Sequence, residues 1–189
     1  MGERCGPAEG SGRVRLATER DMAISQQIQA LASGFSIETT PGTAAKVESF
    51  KAILPAGTMV NVTFLAGTDY RDTVATAARL RAEGMVPVPH IAARSIRDVA
   101  ALEEYLKRLR SEARVDRALV IGGGVSKPVG HFEASVQLLE TGLFEKYGIR
   151  RIGIAGHPEG TPDIPPAEVE KALQRKAAMP MPRGPRCIS

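Results

Sequence analysis

This sequence predicts an α/β fold, an incomplete (β/α)8 TIM barrel of about five βα units. Three observations lead there. Short β-type runs alternate strictly with longer runs of helical periodicity, and parallel strands need a crossover helix between them. Polar residues stand at or just beyond the C-terminal ends of nearly all the strand candidates: Glu38, Thr63, His90, the Gly122 to Gly124 turn and His157. Barrels assemble their sites from several successive strand ends, whereas an open doubly wound sheet concentrates ligand contacts at one switch point, so the pattern favours the barrel. Setting aside about 20 residues of head and about 11 of tail leaves roughly 158 of the 189 residues, against about 250 for a complete barrel.

Residues 1–20 are rich in Gly, Arg and Glu without periodicity and read as a disordered tail. From 21 to 32 the residues Met22, Ile24, Ile28 and Leu31 approach helical spacing, which predicts a short amphipathic helix under the barrel. Strands are expected over 35–38, 59–64, 85–90, 117–121 and 151–155, and helices over 44–54, 70–83, 96–110, 132–144 and 166–178. Ser95 with Asp98 makes a capping-box-like start for the third helix, and Pro166 suits a first helical turn. Residues 179–189 carry no strand pattern and read as an unstructured tail, which bounds the partial barrel at 21–178. Three units would be missing. The fifth strand would then carry an unpaired edge, open to a homo-oligomer or a completing subunit.

With 43% hydrophobic and 24% charged residues the composition is that of a soluble globular domain. There is no tryptophan, so the core must be built mainly from Ala, Val, Ile and Leu, and no aromatic platform for single-stranded nucleic acid is expected. The net charge of +4 looks spread along helices or gathered in the tails, and nucleic acid is not an expected partner. Cys5 and Cys187 lie in opposite tails, so no disulfide framework and no metal site can be read from them. No apolar run approaches the ~20 residues of a membrane span and the N-terminus lacks a signal-peptide pattern, so a cytoplasmic protein without membrane contact is expected.

Each strand-end group has a bland alternative. Glu38 taken alone reads as a solvated carboxylate, Thr63 as a β-branched turn residue, His90 as a hydrogen-bonded core histidine and His157 as part of a turn. Their convergence on one rim is what argues for a site. The run Ile121-Gly122-Gly123-Gly124-Val125-Ser126-Lys127 fails the spacing of both the phosphate loop and the dinucleotide fingerprint. What it offers is a turn without side chains, which a flat ligand can approach closely, or a tight bend with no ligand at all.

The order of motifs resembles the methylenetetrahydrofolate reductase family. Phe35-Ser36-Ile37-Glu38-Thr39-Thr40-Pro41 is similar to that family's first strand, and Asn61-Val62-Thr63-Phe64-Leu65-Ala66-Gly67 to its second. Val88-Pro89-His90-Ile91 is similar to its Ala-Pro-His-Leu segment, and Leu119-Val120-Ile121-Gly122-Gly123 stands where the family has Ala-Leu-Arg-Gly-Asp. Phe132-Glu133-Ala134-Ser135, Ile154-Ala155-Gly156-His157-Pro158-Glu159-Gly160 and the helix with Leu173, Arg175 and Lys176 continue the likeness, which covers residues 33–178.

The resemblance implies a flavoenzyme in which FAD takes a hydride from NAD(P)H and passes it to a folate substrate, 5,10-methylenetetrahydrofolate, making the 5-methyl form. It implies Glu38 as the general acid that opens the folate ring. Thr63, Phe64, Ala66, His90, Gly122, Gly123, Ala134, His157, Arg175 and Lys176 match flavin-lining positions, the last two suiting the ribose and diphosphate by charge. The departures from the pattern are Gly123 in place of an Asp, Ile121 in place of an Arg, His157 in place of a Tyr and Thr161 in place of a His. They imply a second reading, a flavin- or folate-binding protein without reductase activity. A different barrel enzyme, such as a phosphate-binding lyase, is a third.

Overall fold

The computed structural model describes residues 34–155 and 166–178. Five strands, β1 (Ser36–Thr39), β2 (Met59–Val62), β3 (Val86–Ala92), β4 (Arg117–Ile121) and β5 (Arg151–Ile154), form one sheet in the order β1-β2-β3-β4-β5, and every pairing is parallel. The helices α1 (Pro41–Ala44) and α2 (Phe50–Ile53) connect β1 to β2, and α3 (Tyr70–Ala82) connects β2 to β3. A 3-10 turn (Ala93–Ser95) and α4 (Val99–Ala113) lead to β4, α5 (Ser135–Glu140) and α6 (Leu143–Lys146) to β5, and α7 (Pro166–Ala178) follows. The head and tail segments, the helix expected at 21–32, His157 and Thr161 lie outside the described residues.

The sheet order narrows the architecture. A doubly wound sheet reverses its strand order at a switch point, and no reversal occurs among these five strands. Strictly sequential strands joined by right-handed crossovers put their helices on one face, as in part of a barrel wall. Burial follows the same division: Val60, Val62 and Val120 are fully buried and Ala118 nearly so, whereas their strand neighbours Asn61, Leu119 and Arg117 are half-buried.

Several expected boundaries are corrected. The helix expected over 44–54 is two short helices, because Ser49 restarts the chain: its hydroxyl accepts from the Ala52 N–H at 3.3 Å, as the Thr40 hydroxyl does from the Thr43 N–H at 3.1 Å. The third long helix begins at Val99 because Asp98, in extended backbone, caps the Ala101 N–H at 2.7 Å, and Ser95 belongs to the turn before it. The helix expected over 132–144 starts at Ser135, where the Gln137 side-chain oxygen accepts from the Glu133 and Ala134 N–H groups, and breaks at Gly142, whose φ is +72°. Strand β2 stops at Val62, which leaves Thr63 just beyond it, and β3 continues to Ala92, which leaves His90 inside the strand rather than at its end.

The main core lies between the sheet and α3 to α6, and it is more aromatic than the composition suggested: Tyr105, Phe132 and Phe144 are buried in it beside Leu102, Leu106 and Leu109. A smaller cluster of Phe50, Val60, Val62, Leu80 and Met85 sits under α1 and α2. Tyr105 fixes the sheet near the candidate site. Its hydroxyl donates to the His90 carbonyl at 3.4 Å and its ring tilts against Tyr70 at 4.9 Å, tying α3 and α4 to β3. Among the described residues no helix is long and apolar enough to cross a membrane.

Candidate functional site

Glu38, Thr63 and His90 come from three adjacent strands. Glu38 pairs in register with Asn61 of β2, so its side chain stands on the face away from the helices, and it is exposed. Thr63 follows β2 by one residue; its N–H donates to the Thr39 carbonyl at 2.8 Å, which extends the parallel pairing past the strand end. That places the Thr63 hydroxyl against the Glu38 carboxylate, to which it donates a hydrogen bond. The polar alternation Asn61, Thr63 on one face is the sequence signal for this strand end, and Asn61, whose amide donates to the Ile37 carbonyl at 3.4 Å, was missed as a candidate.

His90 is only 6% exposed, and among the described residues its Nε2 has no hydrogen-bond partner. Burial pushes its imidazole below the ordinary histidine value, and the negative charge of Glu38 partly opposes the shift. The ring is therefore neutral at physiological pH and offers one donor and one acceptor. A buried, unpartnered ring nitrogen beside a carboxylate is the strongest local departure from ordinary packing in this part of the sheet.

The glycine turn after β4 is held by Arg94, which no motif or spacing in the sequence singles out. The Arg94 N–H donates to the Gly122 carbonyl at 2.9 Å, and its guanidinium reaches the carbonyls of Val125 and Glu133, both at 3.1 Å. One side chain thereby organises the loop from β4 to α5 through its planar fork of donors. Gly123 has φ +95°, and a Cβ there would lie 3.2 Å from the Ala92 Cβ, so the turn is adapted to glycine. Ala134 is half-buried at the start of α5, Phe64 is half-buried, and Ala66 is exposed in the loop after β2.

Arg175 and Lys176 do not join the Glu38, Thr63 and His90 group by any contact among the described residues. Arg175 forms an ion pair with Glu140 of α5. Lys176 is 8% exposed, and burial pushes its ammonium below the ordinary lysine value. Among the described residues no group of three His, Cys, Asp or Glu side chains could hold a metal ion. No protein-family model matches the chain.

Proposed function

We propose that this chain is a flavin-dependent oxidoreductase of the methylenetetrahydrofolate reductase type, built on a barrel of which the described sheet is one wall. The observation that carries the reading is the meeting of Glu38, Thr63 and the buried, neutral His90 on adjacent strands, in the order the resemblance requires. Sequential parallel strands with their polar residues on the face away from the helices support the barrel.

The residues fit the ring portion of FAD better than its diphosphate. His90 Nε2 is a buried polar atom in want of a partner, as the polar edge of a flavin would supply, and the Gly122 to Gly124 turn leaves room for a flat ring. Against the diphosphate, Arg175 is already paired with Glu140 and Lys176 is buried. FAD would supply hydride transfer from NAD(P)H to the folate. The protein's part is to hold and to protonate. Thr63, Phe64, Ala66, His90, Gly122 and Ala134 would line the ring, and Glu38, fixed by the Thr63 hydroxyl, would deliver a proton to the substrate nitrogen as the folate ring opens.

A second reading, flavin or folate binding without turnover, is favoured by Gly123, where the φ of +95° belongs to a glycine turn and no carboxylate is presented. Purified protein equilibrated with FAD and desalted tests both readings. Retained visible flavin absorbance with NAD(P)H oxidation that depends on methylenetetrahydrofolate supports the reductase. Retained flavin with no folate-dependent oxidation supports a flavin-binding protein, loss of all flavin overturns the reductase and flavin-binding readings, and loss of flavin together with no binding of methylenetetrahydrofolate overturns the second reading whole.

A further inference from the structure

The loop from β4 to α5 is fastened at four points to the single residue Arg94. The Arg94 N–H donates to the Gly122 carbonyl at 2.9 Å, and the Arg94 carbonyl accepts from the Val129 N–H at 2.8 Å. Its Nε and Nη1 reach the carbonyls of Glu133 and Val125, both at 3.1 Å. Residues 122, 125, 129 and 133 thus stand around one 3-10 turn, which the buried Ala93 and Ile96 on either side of Arg94 hold in place. Gly130 is pressed against the same connection, because a Cβ there would lie 1.8 Å from the Arg97 carbonyl oxygen. Among the described residues no carboxylate pairs with Arg94, and both bonds of its guanidinium go to main-chain carbonyls.

The loop joins two of the segments assigned above to the flavin ring. Gly123 lies against Ala92, where an added Cβ would come within 3.2 Å of the Ala92 Cβ, and Ala92 shares a face of β3 with His90. At the other end, the peptide between Glu133 and Ala134 is bonded on both sides. Its carbonyl accepts from Arg94 Nε, and its N–H donates to the Gln137 side-chain oxygen at 2.9 Å. One arginine therefore spans from the glycine turn to the start of α5. Two of its four bonds come from its backbone and survive substitution of the side chain; the bonds to Val125 and Glu133 do not.

We propose that Arg94 is a positioning residue of the flavin site: its guanidinium ties Val125 to Glu133 and so keeps the glycine turn and Ala134 set as a preformed slot for a planar ring. The inference rests on the flavin reading above. Segment 122–134 contains four glycines, and untied it has many backbone conformations open to it. Only chains with the slot formed bind the ring, so the apparent affinity is scaled by the fraction of free chains that hold it. A planar fork suits this task, since it holds two carbonyls at fixed angles, which a single ammonium does not. Arg94 acts on the free protein, through the turn, and not by touching the ring.

Stopped-flow fluorescence of riboflavin mixed with the full chain gives association and dissociation rates for the ring without a diphosphate. Arg94→Met is expected to bind at least about tenfold more weakly, with the loss in the association rate and the dissociation rate changed by less than about twofold. Arg94→Lys should fall between Arg94→Met and the parent. Arg97→Gln removes an exposed guanidinium from the same connection, one that pairs only with Asp98, and should bind as the parent does. Without ligand, amide hydrogen exchange at Arg94, Val129 and Ala134 should quicken by at least about tenfold in Arg94→Met, while β4 stays as protected as in the parent. A loss carried by the dissociation rate would mean that Arg94 touches the ring, which overturns the proposal. Unchanged exchange, or equal loss in Arg97→Gln, overturns it too. Riboflavin bound alike by parent and Arg94→Met overturns this inference alone, whereas a parent that binds no riboflavin overturns the flavin reading and this inference with it.

Discussion

The Thr63 hydroxyl donates to the Glu38 carboxylate across the first two strands, and the pairing of Thr63 N–H with the Thr39 carbonyl aligns the two side chains. The bond fixes the orientation of the Glu38 side chain, and under the proposed reading the hydroxyl, which can accept as well as donate, would accept from Glu38 once that carboxyl is protonated to serve as general acid. Flavin reduction by NAD(P)H needs no acid on the folate, whereas ring opening does. Glu38→Gln keeps the shape and cannot serve as a full proton donor. Under the proposed reductase reading the folate half-reaction is expected to slow by about 10² to 10⁴-fold, with flavin reduction changed by less than roughly tenfold. Stopped-flow flavin absorbance follows each half separately, and equal slowing of both would mean that Glu38 only holds the pocket together.

His90 makes stability depend on pH. Its folded-state value is lowered by burial, so the unfolded chain takes up a proton more readily than the folded one. The contribution is complete above the unfolded value of about 6.5 and is lost as pH falls from there through the folded value. Between about pH 7.5 and about pH 5.5 the melting temperature of the parent should fall more than that of His90→Gln. Glu38→Gln, which removes the opposing negative charge, should steepen the fall. Parallel melting curves for parent and His90→Gln would show that this imidazole is not linked to folding.

Arg79 should be the most costly single arginine to lose. Its guanidinium donates to the carbonyls of Ala44, Val47 and Glu48, at 2.8, 2.5 and 3.0 Å, while its Nε pairs with Glu83 at 2.8 Å and its Cζ lies 5.3 Å from the centre of the Phe50 ring. Glu83 in turn accepts from the Phe50 and Lys51 N–H groups at the start of α2. The pair thus fastens the segment between α1 and α2 to α3. Arg79→Ala is expected to destabilise by about 2 to 3 kcal/mol in urea unfolding, since hydrogen bonds to a charged group are worth more than neutral ones. Arg79→Lys should recover little of this, because one ammonium cannot reproduce a planar fork.

Gly123 limits what can be restored by substitution. An Asp there matches the family pattern by composition, yet the φ of +95° is one that side chains rarely adopt, and its Cβ would press the Ala92 Cβ at 3.2 Å. Gly123→Asp is expected to lower stability by about 1 to 3 kcal/mol, a cost of order that for a strained backbone position. A stability equal to the parent's in chemical denaturation would show that the turn can change its conformation.

Periodicity and punctuation are local properties of a chain, and here they were enough to establish the α/β class and the order of elements. The strand at 117–121 coincides with its expected bounds, residues 166–178 are helical as expected, and Glu38, Thr63 and His90, in or just beyond successive strands, marked one end of the sheet. Helix ends were less legible, since Ser49, Asp98 and Gln137 decide them through single side-chain bonds that compete with the hydrophobic pattern. The sequential strand order, the contact of Thr63 with Glu38 and the burial of His90 emerge only when the chain is folded. Each of those joins residues that are distant in the chain, or sets a side chain's solvent exposure by what packs over it. Such relations come from strand pairing and helix crossover geometry, and no window of local sequence contains them.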